Sequence, residues 1–369
     1  MDTFLNLDIK IGFVGLGLIG GSIAKAIRKV YGNAFINAFD ISRESLEAAL
    51  SDKTVNHATD KIDDSFYGCD YIFLCASVKT NTTYLDEIKK YLTKDTILTD
   101  VGSVKNNIHA YIQKAGLSDY FIGGHPMAGA EKSGYKNSKA HLIENAYYVI
   151  SPEKNTSHEK IEKYSDFIKS LGAIPIVLDY RDHDHITGTI SHLPHIIAAG
   201  LVNYVKKNDD SREMMRTLAA GGFKDMTRIA SSSADMWKQI CLANKDNILN
   251  VMDSFMDELK DIRKIIEDSD IIKLEEFFSN AREYRNSMPI KGGAFSKAYE
   301  IYVDLVDQAG AIAPIATILG INGINIKNIG IINNREFIDG VLRIEFESEK
   351  DLDDASKLLS SYNYKIQTR

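Results

Sequence analysis

The sequence predicts an α/β protein of three successive parts, and three observations along the chain lead to this prediction. From Ile9 to Asp179, strand-like apolar runs alternate with amphipathic helical stretches, the pattern of β-α-β units around a parallel sheet. From Asp182 to Ser287, β-branched runs disappear and long helical periodicities replace them. After a polar stretch with glycine and proline, the elements follow in the order β-α-β-β-α-β. We therefore expect three domains, over residues 1–180, 181–290 and 297–369.

Each predicted strand of the first part is a short apolar run bounded by polar or glycine residues, as in a sheet buried on both faces. These runs lie at Ile9–Val14, Phe35–Phe39, Tyr71–Cys75, Thr96–Thr99, Tyr120–Ile122, Ala146–Ile150 and Ile174–Leu178. Between them, apolar residues recur at three- and four-residue spacing, which is typical of helices packed on a sheet. The predicted helices are Leu18–Val30, Arg43–Leu50, Thr80–Leu92, Lys105–Lys114 and His158–Leu171.

The helical periodicity of the second part predicts an all-α domain, with Asn247–Ile266 as its clearest helix. Asn286–Lys297 then places Pro289 and Gly292 among polar residues, which is typical of a linker. The third part has expected strands at Tyr299–Val306, Ile324–Ile332, Val341–Phe346 and Tyr364–Ile366 and expected helices at Pro314–Leu319 and Leu352–Ser361. This order predicts a ferredoxin-like domain.

Composition excludes several classes of protein. Of 369 residues, 44% are hydrophobic and 26% charged, which is ordinary for globular domains. The net charge of −7 is the wrong sign for nucleic-acid binding, and the apolar runs are too short to cross a membrane. The first eight residues lack the basic stretch of a targeting peptide, and the three scattered cysteines, Cys69, Cys75 and Cys241, do not suggest disulfides. We therefore expect a cytoplasmic protein.

The strongest local motif is Gly15-Leu16-Gly17-Leu18-Ile19-Gly20, which has G-x-G-x-x-G spacing directly between a predicted strand and a predicted helix. The first glycine makes the tight turn, the second lets a pyrophosphate approach the backbone, and the third lets the helix pack on the sheet. The helix begins at Leu18 and Ile19, so its free N–H groups face the phosphates. The motif predicts a Rossmann-like domain that binds a dinucleotide.

Asp40 ends the strand that follows this helix. Its carboxylate can accept hydrogen bonds from the adenosine ribose hydroxyls and would repel a 2′-phosphate, so NAD is favoured over NADP. The competing interpretation is a glycine-rich turn that binds nothing.

Four of the nine histidines lie in Asp182–His185 and Ser191–His195. The spacing does not match H-E-x-x-H, and oxidation with NAD needs no metal, so we expect no metal site. Pro194 would kink the chain or open the first turn of a helix, which can direct His192 and His195 to a cleft. The alternative is a set of hydrogen-bonded histidines packed at a domain boundary.

Two segments after predicted strands carry further polar groups. Gly123–Gly129 is expected to be a loop, and its His125 is placed to accept a proton. Asp100–Lys105 offers a hydroxyl at Ser103 and a cation at Lys105, beside a helix N-terminus. Each residue alone is more commonly structural.

Asp225 and Arg228 lie three residues apart on one face of a predicted helix. They form either a surface ion pair, which is the usual case, or an anion clamp in which the acid restrains the arginine. Trp237 is the only tryptophan and, by residue type, is more often a packing residue than a ligand contact.

Five of these segments, in this order, resemble the prephenate dehydrogenase family of tyrosine biosynthesis. They are GLGLIGGS at Gly15–Ser22, DVGSVK at Asp100–Lys105, GGHPMAG at Gly123–Gly129, SHLPH at Ser191–His195 and GGFKDMTRIA at Gly221–Ala230. The resemblance covers essentially the whole chain. It implies NAD-dependent oxidative decarboxylation of prephenate to 4-hydroxyphenylpyruvate, a helical domain that forms a homodimer, and a cleft between the first two domains.

The resemblance also implies roles for single residues. His125 would accept the proton of the substrate 4-hydroxyl, and Ser103 would hydrogen-bond that hydroxyl or the nicotinamide. Arg228 would bind a substrate carboxylate, restrained by Asp225 and Glu131.

The remaining implied roles concern the pocket around the substrate. Ser191 and His195 would line it, and His192 would lie near the cofactor. Asp184 and Trp237 match positions near a site shared across the dimer. The second carboxylate of the substrate needs its own cation or donors, with Lys105, His195 or a group of the partner chain as candidates.

The last part, Tyr299–Arg369, resembles an ACT domain, a module that commonly binds amino acids at subunit interfaces. Its loop Asp307–Gly310 has Ala309 where proline is frequent in that module. We expect tyrosine to bind here as a feedback inhibitor. The alternative is a tail that serves only dimerisation.

Three other functions remain open. Arogenate dehydrogenases differ only in a substrate with an amine in place of the side-chain ketone. A β-hydroxyacid dehydrogenase would share the glycine turn but leave His125 and Arg228 without a purpose. A non-catalytic sensor of NAD and an amino acid would need neither a base nor a clamp.

Overall fold

In the computed structural model of the chain, the structure describes residues 9–129, 132–288, 299–305, 308, 310–332 and 340–368. The chain divides into two compact units, Met1–Ser287 and Met288–Arg369.

An eight-stranded sheet forms the centre of the first unit. Its strands are β1 (Lys10–Val14), β2 (Phe35–Phe39), β3 (His57–Thr59), β4 (Tyr71–Leu74), β5 (Ile97–Asp100), β6 (Phe121–Pro126), β7 (Tyr147–Pro152) and β8 (Ile174–Val177). The spatial order is β3-β2-β1-β4-β5-β6-β7-β8. The first six are parallel in the 3-2-1-4-5-6 order of a Rossmann fold, as predicted. β7 runs antiparallel to β6, and β8 runs parallel to β7.

The sheet is covered on both faces, which explains its continuous apolar strands. Along β4, Tyr71 and Phe73 join one hydrophobic cluster, whereas Ile72 and Leu74 join another. Successive strand residues point to opposite faces, so both sets are buried. The helices of this part are α1 (Leu18–Val30), α2 (Arg43–Ser51), α3 (Val78–Thr83), α4 (Leu85–Ile88), α5 (Asn106–Ala115) and α6 (His158–Ser170).

The helix predicted at Thr80–Leu92 is wrong as a single element, because the chain forms α3, α4 and a 3₁₀ turn at Lys89–Tyr91 instead. The hydroxyls of Thr82 and Thr83 donate to the carbonyls of Lys79 and Thr80. These local bonds compete with continuous helix, so polar threonines divide it. The three-residue β3 was not predicted because it is short and polar.

A second difference concerns His125. The segment after Ile122 was expected to be a loop, but β6 continues to Pro126 and pairs Gly124 with Ile150 and His125 with Val149. A Cβ at Gly124 would lie 2.6 Å from the carbonyl oxygen of Asp100. These glycines permit close packing inside the sheet, and glycine's low strand propensity hid the strand in the sequence.

The helical part follows the sheet in the same unit. Its helices are α7 (Tyr180–Thr187), α8 (Leu193–Asn208), α9 (Met214–Leu218), α10 (Gly221–Thr227), α11 (Ala234–Ala243), α12 (Lys245–Glu267) and α13 (Ile271–Ser287). A π-helical turn, Gly188–His192, joins α7 to α8, and Pro194 lies in the first turn of α8. The predicted helix Asn247–Ile266 is confirmed within α12.

The second unit contains β9 (Tyr299–Leu305), α14 (Ile312–Ile321), β10 (Asn328–Ile332), β11 (Gly340–Phe346), α15 (Glu349–Ser361) and β12 (Ile366–Thr368). Its strands form an antiparallel sheet in the order β10-β11-β9-β12 around a core of its own. The element order is the β-α-β-β-α-β expected from the sequence. The linker after Met288 and two residues of the Asp307–Gly310 loop lie outside the described residues; Gly310 has φ +85°.

Within the described part of the chain, no helix combines the length and the apolar character needed to cross a membrane.

Candidate active site

The glycine turn between β1 and α1 is built by close backbone packing. Gly15 has φ +96°, and a Cβ there would lie 2.9 Å from the backbone nitrogen of Ala76. A Cβ at Gly20 would lie 2.7 Å from the carbonyl oxygen of Gly15. At Gly17, a Cβ would meet none of the described residues within 4 Å, so this side of the turn is open. The turn therefore has two glycines that pack against the protein and one that faces free space.

The first turn of α1 is prepared for an anion. Gly17 is the N-cap without a side-chain hydrogen bond, and the first turn carries no acidic residue. Leu18 and Ile19 are half-buried. Backbone N–H groups in the first turn of a helix have no acceptors within the helix, and the positive end of the helix dipole lies at the same place. The residues present fit the pyrophosphate of a dinucleotide.

Asp40 is held at the carboxyl end of β2. One carboxylate oxygen accepts from the N–H of Leu16 at 2.5 Å, and the other accepts from the N–H of Ser42 at 2.7 Å. Both bonds fix the carboxylate beside the glycine turn. The interaction of this acid with a ribose stays a prediction from the sequence.

Asp100, at the end of β5, connects the Ser103 loop to the strand of His125. One carboxylate oxygen accepts from the N–H of Gly124 at 3.2 Å, and the other from the N–H of Gly102 at 3.0 Å. The ammonium of Lys105 donates to the same carboxylate, and both side chains are fully buried. Ser103 lies half-buried in the loop between them. Asp100 thus fixes the loop against the strand.

The surroundings of Lys105 in the structure differ from those that a partner of a substrate carboxylate would need. The sequence offered Lys105 as a candidate partner for a substrate carboxylate, but its side chain is 0% exposed and paired with Asp100. Breaking a buried pair leaves an uncompensated charge, at a cost of about 3–5 kcal/mol. The geometry therefore favours a structural role for this lysine.

His125 lies in a chain of three side chains that ends at Asp184. His125 Nδ1 is 2.8 Å from His183 Nε2, and His183 Nδ1 is 2.7 Å from Asp184 Oδ1. Asp184 also accepts from the N–H groups of Lys105 and Asn106 at 2.7 and 2.8 Å, so it caps α5. No role was predicted for His183 from its sequence position.

The pKa values of these histidines are shifted in one direction. Withdrawal from water lowers the pKa of His125 well below 6.5, and the charges of His183, Lys105 and His192 act in the same direction. Burial also lowers the pKa of His183, against the opposing effect of Asp184. His125 is therefore neutral at neutral pH and has a lone pair with which to accept a proton.

His192 and His195 lie on the π-helical turn and the start of α8. His192 is buried, its Nδ1 lies 3.1 Å from the Asn244 amide nitrogen, and burial lowers its pKa to about 4. His195 Nδ1 donates to the carbonyl oxygen of Ser191 at 2.9 Å, and its ring stacks on Trp237 at 3.9 Å. π-helical turns are frequent at functional sites because they redirect side chains. The half-buried Ser191 belongs to the same turn.

Arg228 lies at the end of α10, one turn after Asp225, and both side chains are exposed. Burial lowers the pKa of His195, and the positive charge of Arg228 lowers it further. Arg228, His195 and Trp237 therefore belong to one neighbourhood. Glu131, expected to restrain Arg228, lies outside the described residues.

Sequence reasoning missed two residues of this cluster, His183 and Asn244. The Asn244 amide donates to the Asp184 carbonyl at 2.7 Å and approaches His192, which ties α11 and α12 to α7. The only available signal was the density of histidines around α7. Among the described residues, no group of three or more His, Cys, Asp or Glu side chains has the arrangement of a metal site.

The glycine turn follows the carboxyl end of β1, and His125 lies near the carboxyl end of β6 in the same sheet, on the side where ligands of such folds bind. A turn suited to a dinucleotide and a neutral imidazole on the same side of the sheet are together typical of a dinucleotide-dependent oxidoreductase.

Comparison with known proteins gives the family. Residues 23–177 match the family model "Prephenate dehydrogenase, nucleotide-binding domain", and residues 179–280 match "Prephenate dehydrogenase, dimerization domain". A prephenate dehydrogenase of Bacillus subtilis is 38% identical over 91% of this chain and 92% of its own. The chain belongs to the prephenate dehydrogenase family.

Two solved structures resemble the chain at the level of fold and sequence. The prephenate dehydrogenase of A. aeolicus, in complex with hydroxyphenyl propionate and NAD+, has a TM-score of 0.72 and 29% identity, and covers 77% of this chain and 99% of that chain. The arogenate dehydrogenase of Synechocystis has a TM-score of 0.68 and 26% identity, and covers 75% of this chain and 99% of that chain.

Proposed function

We propose that the protein catalyses the NAD-dependent oxidative decarboxylation of prephenate to 4-hydroxyphenylpyruvate, in tyrosine biosynthesis. The family membership gives the reaction class. The observation that carries the proposal is His125, a neutral imidazole at the carboxyl edge of the sheet that also holds the glycine turn. A base in this state accepts a hydroxyl proton at neutral pH without first losing one of its own.

In the proposed reaction, NAD supplies the acceptor for the hydride that leaves the hydroxyl-bearing carbon. His125 accepts the proton of that hydroxyl, and Ser103 hydrogen-bonds the same oxygen or the nicotinamide; the bonds of Asp100 to Gly102 and Gly124, which hold the Ser103 loop against the His125 strand, support this assignment. The forming ring ketone is conjugated with the carbon that bears the ring carboxylate. Carbon dioxide leaves with the electrons remaining in the ring, and aromatisation makes the step irreversible.

The substrate carboxylates are assigned to the helical side of the site. Arg228 binds one of them, because its exposed guanidinium can form the paired hydrogen bonds that carboxylates favour. The restraint of this arginine by Asp225 and Glu131, which the family resemblance implies, stays a prediction. His195, fixed by Ser191 and stacked on Trp237, lines the side-chain pocket and, with a group of a partner chain, is a candidate for the second carboxylate.

NAD is the cofactor of this family, and the preference for NAD over NADP is assigned to Asp40. Its carboxylate is oriented by two backbone N–H groups, so it presents a fixed negative charge where a 2′-phosphate would lie. Gly15, Gly17, Leu18, Ile19 and Gly20 form the phosphate turn. His192 lies near the nicotinamide in this proposal, held by Asn244.

NADH formation with prephenate, followed by absorbance, tests the proposal. Rapid NADH formation with prephenate is the expected result. The likeness to an arogenate dehydrogenase makes arogenate the matched comparison, and a higher kcat/KM with arogenate would replace the substrate in this proposal. Binding of NAD and tyrosine without turnover of either substrate would support a non-catalytic sensor.

A homodimer is proposed through the helical part. The helices α9 to α13 expose large apolar side chains, including Leu218, Leu242 and Phe278, which are 71%, 71% and 66% exposed. Apolar surface of this kind is typical of an obligate interface between copies of a chain. Sedimentation equilibrium should give twice the chain mass.

The second unit is proposed to be an ACT domain that binds tyrosine and inhibits the enzyme. Its β-α-β-β-α-β order and separate core support a module that folds as a unit. We predict that tyrosine inhibits the full chain and does not inhibit a chain ended at Ser287. Equal sensitivity of the two proteins would leave this unit as a dimerisation tail.

We also propose that the protein is cytoplasmic and binds neither nucleic acid nor membranes. The three cysteines are free thiols, as in a reducing compartment, and the net charge is −7.

A further inference from the structure

His183 occupies a position that the proposed chemistry has not yet used. Its side chain is 1% exposed and lies on α7 between His125 and Asp184. The rings of His125 and His183 lie at 73° with centroids 5.0 Å apart, so one ring nitrogen points at the other rather than at a ring face. A buried imidazole with a partner at each nitrogen is fully determined in orientation.

The direction of both hydrogen bonds follows from Asp184. Both oxygens of its carboxylate accept, from the N–H groups of Lys105 and Asn106, so Asp184 acts as an acceptor at the N-terminus of α5. His183 Nδ1 must therefore carry the proton and donate it to Asp184. A neutral His183 then has only a lone pair at Nε2, and burial keeps its pKa low.

The same reasoning determines which nitrogen of His125 carries the proton. Because His183 Nε2 accepts, His125 Nδ1 must carry the hydrogen between them. A neutral His125 with its proton on Nδ1 has its lone pair on Nε2, the nitrogen that does not face His183. Of the two tautomers of His125, the surroundings select the one with a basic Nε2.

We propose that His183 is a positioning residue that holds His125 in its Nδ1-protonated tautomer and thereby makes Nε2 the nitrogen that receives the substrate proton. This inference rests on the proposed role of His125 as the base. It adds that the direction of proton transfer is set from α7, in the helical part, rather than from the strand that carries His125.

The chain of bonds also serves the product of proton transfer. When His125 takes a proton at Nε2, it becomes an imidazolium, and its Nδ1–H continues to donate to His183. Asp184 stabilises this charge through His183, and no proton needs to reach the carboxylate. The groups that act electrostatically on the pair are Lys105, Asp100 and Asp184, together with His192 on the π-helical turn.

Two substitutions separate this role from a structural one. In His183→Asn, the amide replaces Nδ1 and can still donate to Asp184, but it is too short to reach His125. In His183→Gln, the amide oxygen lies near the position of Nε2 and can accept from His125. We expect kcat to fall at least about tenfold in His183→Asn, and to return close to the wild-type value in His183→Gln.

The matched control is His185→Asn, an exposed histidine of the same helix, which should leave kcat unchanged. The dissociation constant for NAD, measured by tryptophan fluorescence, should be the same in all four proteins. A purely structural histidine predicts that both variants at position 183 lose activity together or that neither does, and either result would overturn the inference.

A measurement on the wild-type protein tests the inference even if the variants at position 183 do not fold. With ¹⁵N-labelled histidine, the NMR signals assigned through His125→Asn should show a protonated Nδ1 and an unprotonated Nε2 at neutral pH. The opposite tautomer would overturn the inference, even where wild-type turnover of prephenate and its loss in His125→Asn uphold the proposed function.

Discussion

The glycine turn and the histidine cluster lie at the same edge of one sheet but are built in opposite ways. The turn is contiguous in sequence, from Gly15 to Gly20, and works through backbone N–H groups and the absence of side chains. The cluster joins His125, His183 and Asn244, which are far apart in sequence, and works through particular ring and amide atoms. The turn proposed to bind the cofactor is thus a local property of the chain, whereas the cluster proposed to perform the chemistry depends on tertiary structure.

The largest expected effect belongs to the cluster. His125→Asn removes the proposed proton acceptor but retains a polar side chain of similar size, so kcat should fall by about 10²- to 10⁴-fold. The dissociation constant for NAD should not change, because the glycine turn is built independently. Steady-state kinetics and NAD titration give both numbers. A large loss of NAD affinity would show that the two regions are coupled.

A pair of substitutions in the turn should separate packing from ligand approach. Gly15→Ala forces a side chain into φ +96° and against Ala76, so the free energy of unfolding should fall by about 1–3 kcal/mol and the KM for NAD should rise. Gly17→Ala adds a methyl group to open space, so it should raise the KM for NAD with little loss of stability. Urea unfolding and kinetics measure the two effects. Equal loss of stability in both variants would contradict the description of the turn.

The smallest expected effect is a dependence of stability and activity on pH that comes from the buried histidines. The pKa values of His125 and His183 lie below 6.5 in the folded protein, and that of His192 is about 4. The unfolded chain therefore binds more protons as the pH falls from 6.5 towards 4, and the free energy of unfolding should decrease over that window. Activity should persist at pH 6.5, with the acidic limb of kcat/KM below it.

Urea unfolding at pH values above and below that window checks this prediction. His192→Asn is the matched variant, because its amide oxygen can replace the acceptor Nδ1 beside Asn244. Its stability should depend less on pH than that of the wild-type protein. An unchanged dependence would assign the effect to other groups.

The same contrast explains how much could be predicted from the sequence. The strand at Phe35–Phe39 and the helix at Leu18–Val30 have their predicted bounds, because short-range hydrophobic patterns determine them. The turn between β1 and α1 could be placed because the spacing of Gly15 and Gly17 along the chain is the signal. Local sequence was therefore sufficient to predict the turn, and the binding of a dinucleotide there stays a prediction.

The remaining features depend on contacts between distant segments. The strand at His125 was hidden by two glycines, whose role appears only when Gly124 packs against Asp100. The burial of Lys105 depends on the same acid, which no local pattern indicates. His183 was visible as one histidine among four, but its partner is 58 positions away in sequence. Side-chain networks of this kind need the tertiary structure.

The buried Asp100 has a consequence for how this family can diversify. It accepts hydrogen bonds from the Ser103 loop and from the His125 strand, so a single carboxylate holds together the two segments that carry the groups proposed to meet the substrate hydroxyl. The groups assigned to the substrate side chain, Arg228 and His195, lie on helices instead. A preference for a keto or an amino side chain can therefore change through substitutions on those helices, while the machinery for oxidation is inherited intact.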